Sequence, residues 1–206
     1  LSQGTYSGKT ITVTDSSGNA GSLTLPDFVI DTTAPTLIQV TPITTPSNDT
    51  TPSYQFTTNE AGTLSTNISQ GFSSPNPNTV NTNGIQTVTF NTLPEGTYSG
   101  ETITVTDDAN NAGSLTLPDF VIDTTAPSLT QVTPITTPSN NARPSYEFTT
   151  NEAGTLSTNI SQGFSSPNPA TVSTGSTQTI TFNTLPVGTY SGKTITVTDA
   201  SGNAGS

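Results

Sequence analysis

The sequence predicts an all-β protein built from tandem β-sandwich domains of seven strands. Three observations support this: the chain repeats itself every 92 residues, its apolar residues stand in short alternating runs, and Thr, Ser, Asn and Gly fill the positions between them. Only 28% of residues are hydrophobic and 8% charged. Disordered chains are usually rich in charge, whereas threonine suits a pleated, half-buried surface. We therefore expect ordered strands around small cores.

The repeat sets the expected domain organisation. The motif Asp-Thr-Thr-Ala-Pro at 31–35 returns at 123–127, and Gly-Thr-Tyr-Ser-Gly at 4–8 returns at 96–100 and 188–192. About ninety residues is the size of one immunoglobulin-type (Ig-like) sandwich and far longer than a solenoid coil. We predict the C-terminal strands of a preceding repeat at 1–30, a complete repeat at 31–122, and a repeat lacking its last strand at 123–206.

Turn residues divide the complete repeat into short segments. Tyr54 and Phe56 alternate with polar residues and are expected to point inward, as are Ile103 and Val105. A Ser/Pro/Asn-rich stretch reads as an irregular crossing anchored by Phe72 and Val80. Counting this crossing (73–83), the seven predicted strands are 37–43, 53–58, 63–68, 73–83, 85–93, 97–107 and 114–122.

Two details refine the later strands. Gly96-Thr-Tyr98 is similar to the tyrosine corner of Ig domains, in which the phenol bonds to nearby backbone. In one uninterrupted strand, Tyr98 would face the opposite side of the sheet from Ile103 and Val105. All three are expected to point inward, so we expect a bulge near Ser99-Gly100. Pro118 interrupts the last predicted strand, and proline in a sheet is tolerated only at an edge or bulge.

The chain resembles the bacterial Ig-like repeats of giant cell-surface adhesins, including the extender regions of calcium-dependent RTX-type adhesins. The motifs that carry the resemblance are Asp-Thr-Thr-Ala-Pro, Asn-Glu-Ala-Gly-Thr at 59–63, Gly-Thr-Tyr-Ser, and Thr-Asp-Ser-Ser-Gly-Asn-Ala-Gly at 14–21. It spans the whole chain. It implies an extracellular location on a bacterial cell surface, neighbouring repeats of the same chain as partners, and calcium bound between domains.

The residues themselves also point to a cation. In a seven-strand antiparallel sandwich, the loops after the second and sixth strands lie at the pole where the linker enters. Acidic side chains there, with no basic residue beside them, repel one another unless a cation neutralises them, and hard oxygen ligands favour Ca²⁺. The candidate ligands are Asp31, Glu60, Asp107 and Asn111 at the first junction, and Asp123, Glu152, Asp199 and Asn203 at the second.

The acidic candidates differ in how far the sequence supports them as ligands. Asp and Asn in tight turns commonly bond their own backbone, so the turn-forming alternative stays open. Other acidic residues near the junctions are auxiliary at best, because they change between copies: Asp49 to Asn141, Glu95 to Val187, and Asp108 to Ala200.

Composition excludes several other function classes. Without His or Cys, neither a Ser-His-Asp triad nor a cysteine nucleophile can form, and we expect no enzymatic activity. Three basic residues against fourteen acidic ones argue against nucleic-acid binding. No apolar run approaches the roughly 18 residues of a membrane helix, so no membrane insertion is expected.

The expected function is that of a stalk repeat. Near-identical domains, stiffened by calcium at their junctions, would extend an adhesive tip away from the cell. One alternative is an extracellular filament or matrix protein whose chains self-associate into fibres. Another is a module that binds sugar or ice directly, which predicts a distinctive aromatic or polar patch; the Thr-x-Thr-x-Thr run at 10–14 occurs only once per repeat.

Overall fold

The computed structural model describes residues 1–82 and 84–206, and these residues form strands and turns without a helix. Accordingly, the described chain contains no helix long and apolar enough to span a membrane. In chain order the strands are β1 (Gly4–Tyr6), β2 (Thr10–Thr14), β3 (Ala20–Thr24), β4 (Phe28–Ile30), β5 (Leu37–Thr41), β6 (Ser53–Thr58), β7 (Gly62–Thr66), β8 (Phe72–Ser74), β9 (Thr79–Val80), β10 (Gln86–Phe90), β11 (Gly96–Tyr98), β12 (Thr102–Thr106), β13 (Ala112–Thr116), β14 (Phe120–Ile122), β15 (Leu129–Thr133), β16 (Ser145–Thr150), β17 (Gly154–Thr158), β18 (Phe164–Ser166), β19 (Thr171–Val172), β20 (Gln178–Phe182), β21 (Ile195–Thr198) and β22 (Ala204–Gly205).

The chain divides into two compact units. Unit 1 consists of residues 1–42, 53–91 and 100–118. It contains two four-stranded antiparallel sheets, β5-β6-β10-β8 and β13-β12-β7-β9, and two two-stranded sheets, β1-β4 and β2-β3. Side chains on alternate positions of three central strands are fully buried, as the alternating pattern predicts: Tyr54, Phe56, Val88, Phe90, Ile103 and Val105.

Unit 2 consists of residues 43–52, 92–99 and 119–206. Its four-stranded sheets have the orders β15-β16-β20-β18 and β19-β17-β21-β22, and β11 pairs with β14. One apolar cluster draws on both four-stranded sheets, which gives the unit its sandwich-like character. Its buried members are Phe148, Leu156, Ile160, Val172, Ile180, Phe182 and Val197.

The sequence repeat is also a structural repeat. Tyr54 pairs with Val88 between β6 and β10, and Tyr146 pairs with Ile180 between β16 and β20, each 92 residues later. The same holds for Val105 with Leu64 and Val197 with Leu156. Equivalent residues therefore occupy equivalent places in the two units.

The strands are shorter and more numerous than predicted. Residues 97–107 form two strands, β11 and β12, because the chain breaks at Gly100, whose φ of 70° favours glycine. The irregularity expected near Ser99-Gly100 is thus a break rather than a bulge. Residues 114–122 are likewise divided around Pro118, which lacks an N–H for the ladder. The described strands from Leu37 to Ile122 number ten rather than seven.

Two further predicted segments need correction. The first strand of the repeat ends at Thr41 rather than at residue 43. The crossing at 73–83 is not wholly irregular, because β8 and β9 lie at its two ends. Its expected anchors are in place: Val80 is buried, and the Phe72 ring lies 5.1 Å from the ring of Phe90. Asn83, the last residue of that stretch, lies outside the described residues.

The expected tyrosine corner is present. The phenol of Tyr98 donates a hydrogen bond of 2.8 Å to the carbonyl oxygen of Pro94, four residues upstream. Its ring stacks on Phe120 at 4.8 Å with an interplanar angle of 3°. Because Tyr98 lies on β11 and Phe120 on β14, the ring contact reinforces the pairing of these two short strands.

Candidate cation sites

Three acidic side chains meet at the linker in unit 1. Asp31 directly follows β4, Glu60 lies in the turn between β6 and β7, and Asp107 begins the turn between β12 and β13. One carboxylate oxygen from each lies within 4.8 Å of the others. None of the three residues is fully exposed. The structure thus brings together the three predicted carboxylates, which we call the first carboxylate cluster.

Unit 2 holds an equivalent group, the second carboxylate cluster. It consists of Asp123, Glu152 and Asp199, whose carboxylate oxygens again lie within 4.8 Å of one another. Asp123 directly follows β14, Glu152 lies between β16 and β17, and Asp199 lies between β21 and β22. The two clusters are related residue by residue by the 92-residue repeat.

Asp107 and Asp199 also organise their own turns. The Oδ1 atom of Asp107 accepts hydrogen bonds of 2.8 Å from the backbone N–H groups of Ala109 and Asn111, and Oδ2 accepts one of 2.9 Å from the Asn111 side chain. Asp199 makes the same three contacts with Ser201 and Asn203. The turn-forming role left open by the sequence is therefore real, and it fixes where these carboxylates point.

Asn111 and Asn203 connect these turns to the linkers. The Asn111 Nδ2 group donates to the carbonyl oxygen of Asp31 at 3.3 Å, and Asn203 Nδ2 donates to that of Asp123 at 2.9 Å. Both residues were predicted as cation ligands. In this arrangement their amide nitrogens position the acidic residues, while a cation would take an amide oxygen.

A second asparagine in each repeat holds the linker from the other side. The backbone N–H of Thr36 donates to Asn59 Oδ1 at 2.6 Å, and the Asn59 N–H donates back to the Thr36 carbonyl at 3.3 Å. Asn151 and Ser128 repeat both contacts at the same distances. The residue pattern did not predict this role, although the recurrence of asparagine at the aligned positions 59 and 151 is a signal that points to it.

A close backbone contact fixes the position of the linker, and a threonine hydroxyl fixes the turn that bears Glu60; neither was predicted from the sequence. A Cβ atom built on Gly113 would overlap the carbonyl oxygen of Pro35, and one on Gly205 would overlap that of Pro127. Glycine is therefore required there by close backbone approach. The buried hydroxyl of Thr58 donates to the carbonyl of Glu60 at 2.9 Å, which fixes the turn that presents its carboxylate.

The two clusters differ in their surroundings. In the second, the Ser201 hydroxyl donates to Asp123 Oδ2 at 2.9 Å, whereas the aligned residue of the first is Ala109, which has no hydroxyl. In the first, Asp108 lines the same cavity as the three carboxylates, whereas its aligned residue is Ala200. Asp49, a second of the three auxiliary candidates, accepts hydrogen bonds from the Thr51 N–H and hydroxyl.

The second cluster carries an electrostatic penalty. Partial burial raises the pKa of the Glu152 carboxyl above its ordinary value of 4.5, and the negative charges of Asp123 and Asp199 raise it further. The pKa of Asp107 is lowered, chiefly by the hydrogen bond from the Asn111 side chain. The pKa of Asp199 is also lowered: desolvation opposes the shift, but the hydrogen bonds from Asn203 and from the backbone outweigh it.

These shifts predict a stability maximum in calcium-free buffer. The Glu152 charge costs folding free energy at neutral pH, and this cost is lost as pH falls through its raised pKa towards 4.5. The contribution of Asp107 and Asp199 is complete above their ordinary value of 3.8 and is lost as pH falls below it. As the pH is lowered from neutral, calorimetry should show the melting temperature first rise and then fall. The substitution Glu152→Gln should reduce the rise, and Asp199→Asn should reduce the fall.

The donor set suits a hard metal ion. All candidate donors are oxygens, which is the ligand type that hard cations take. Two oxygens on opposite sides of a Ca²⁺ ion, each at about 2.4 Å, are about 4.8 Å apart. Three carboxylate oxygens within 4.8 Å of one another are therefore close enough to contact one such ion together. The acidic groups of each cluster can hold a metal ion.

Comparison of the sequence with models of known protein families and with curated protein sequences finds no match. The function proposed below therefore rests on the repeat, the all-β fold and the two carboxylate clusters.

Proposed function

We propose that this chain belongs to the extender (stalk) region of a bacterial cell-surface adhesin, in which Ig-like domains are made rigid by calcium at their junctions. The observation that best supports this is the meeting of three carboxylates at each of two linkers, 92 residues apart. The extracellular location, the Ig-like class of the domains and a mechanical, non-enzymatic role are parts of the same proposal.

The position of the acidic residues explains what a cation would do. Asp31 follows β4, the last strand of the preceding repeat, whereas Glu60 and Asp107 belong to turns of the next repeat. An ion held by all three would tie the linker to both turns and neutralise the repulsion between the carboxylates. If the ion binds only the folded chain, it stabilises it by about 2.7 kcal/mol per site at one hundred times the dissociation constant.

Hydrogen bonds and a close backbone contact hold the linker at 31–35 against the repeat that follows it. Asn59 pairs with Thr36, Asn111 bonds the carbonyl of Asp31, and Pro35 is seated on Gly113. A cation held at the first carboxylate cluster would add to these contacts on the same linker. The carboxylates of Asp31 and Glu60 are brought to Asp107 by these same contacts.

The composition of the chain agrees with a mechanical role. The formal net charge is −11, and uniform acidity keeps near-identical domains soluble and limits sticking between neighbours. Most differences between the repeats fall on turns and exposed polar positions, while the residues of the clusters are kept. Such repeats are interchangeable units of length, which is what a stalk needs.

Small-angle X-ray scattering on an array of several repeats tests this proposal. We expect a larger and better-defined maximum dimension in millimolar calcium than in chelator, because the bound ion restricts motion at each linker. Equal dimensions in the two buffers would contradict the calcium-stiffened stalk. A particle mass that grows with protein concentration would instead support the filament alternative, in which chains associate with one another.

A further inference from the structure

We propose that Glu95, and Gln3 at the aligned position, form a lock by which the end of one repeat holds the linker that follows it, without any cation. Glu95 lies shortly before β11 and is exposed. Its Oε2 atom accepts hydrogen bonds from the Thr124 N–H at 3.1 Å, the Thr124 hydroxyl at 2.9 Å and the Thr125 hydroxyl at 2.8 Å. Both threonines belong to the linker at 123–127.

Gln3 makes the corresponding contacts in unit 1. Its Oε1 atom accepts hydrogen bonds from the hydroxyls of Thr32 at 3.1 Å and Thr33 at 2.8 Å. The neutral amide of Gln3 and the carboxylate of Glu95 thus accept hydrogen bonds from the equivalent pair of threonine hydroxyls in their respective linkers. The property that the two side chains share is an acceptor oxygen within reach of the linker, so the lock depends on hydrogen bonding rather than on charge.

The lock is distinct from the other contacts of the linker. Asn151 and Asn203, which bond Ser128 and Asp123, belong to the repeat that follows the linker. Glu95 belongs to the repeat that precedes it. The linker is therefore hydrogen-bonded to both the repeat before it and the repeat after it. Among these contacts, only Glu95 of the preceding repeat bonds the threonine hydroxyls.

The third aligned position carries a side chain that cannot form the lock. Val187 stands where Gln3 and Glu95 stand in the other copies, and its side chain has no polar atom. A repeat with valine at this position cannot accept a hydrogen bond from a linker. The identity of this one residue therefore sets how firmly the linker after it is held, and copies of the repeat differ in this respect.

Backbone ¹⁵N relaxation of the full chain in chelator tests the lock. For Glu95→Val, which introduces the residue found at position 187, we expect the order parameters of Thr124 and Thr125 to fall from about 0.85 to below about 0.6. Thr32 and Thr33 in the same sample should not change and serve as the internal control. Glu95→Gln, which copies Gln3, should keep the order parameters of Thr124 and Thr125 near those of the parent chain.

A reciprocal variant makes the result decisive. Gln3→Val should mobilise Thr32 and Thr33 and leave Thr124 and Thr125 ordered. Unchanged order parameters in both valine variants would overturn the proposal, and equal mobility in Glu95→Gln and Glu95→Val would show that charge, not hydrogen bonding, holds the linker. Because calcium is absent throughout, the outcome is independent of whether the carboxylate clusters bind it.

Discussion

Replacing Gly113 with alanine is expected to lower the free energy of unfolding by about 3 kcal/mol, the upper end of the usual cost of overpacking. The new Cβ would overlap the carbonyl oxygen of Pro35, which is a backbone atom and cannot move aside as a flexible side chain can. Either β13 or the linker must shift. Denaturant unfolding or calorimetry measures the loss.

The chain contains a matched control for this substitution. Gly21 occupies the aligned position in the first copy, and a Cβ there would meet nothing within 4 Å. Gly21→Ala should therefore change the free energy of unfolding by no more than about 0.5 kcal/mol. Gly205→Ala should behave like Gly113→Ala, because its Cβ would overlap Pro127. Equal stabilities of the Gly113 and Gly21 variants would show that the linker is not seated on β13.

Glu152→Gln is expected to change stability in opposite directions with and without calcium. In chelator the variant should melt at a higher temperature than the parent chain, because one of three mutually repelling carboxylates has lost its charge. In saturating calcium it should melt at a lower temperature, because the second cluster loses a ligand and with it most of the roughly 2.7 kcal/mol available at one hundred times the dissociation constant.

Glu101→Gln is the control for this reversal. Glu101 lies outside both clusters and is replaced by Lys193 in the next copy. The same change of charge there should shift the melting temperature equally in the two buffers. If Glu152→Gln also shifted it equally in both, the second cluster would have no role in calcium binding.

Alternation and loop position were enough to predict the core and the clusters. Tyr54 and Phe56 are buried because they share one face of a strand. Side chains of a strand alternate between its two faces, so apolar residues at every second position predict a buried face. Asp31, Glu60 and Asp107 meet because the β6–β7 connection between the two four-stranded sheets and the β12–β13 turn lie at the same end of the unit, where the linker enters. Neither inference needed side-chain detail.

The remaining features depend on close contacts that the residue pattern does not encode. Gly113 reads as an ordinary small strand residue until Pro35 is seen against it. The change from Gln3 to Glu95 looks like drift, because an amide and a carboxylate differ in charge, yet both present an oxygen to the same threonine hydroxyls. The chain breaks at Gly100 instead of forming the predicted bulge. Either irregularity lets Tyr98 and Ile103 point to the same side, which an uninterrupted strand would not allow.

Calcium titration of the chain by isothermal calorimetry, with a double variant Glu60→Gln and Glu152→Gln beside it, tests the central claim most directly. The account predicts saturable binding of two calcium ions per chain, one at each carboxylate cluster, and loss or strong weakening of both in the double variant. Absence of saturable binding at millimolar calcium, or binding that the double variant leaves unchanged, would contradict it.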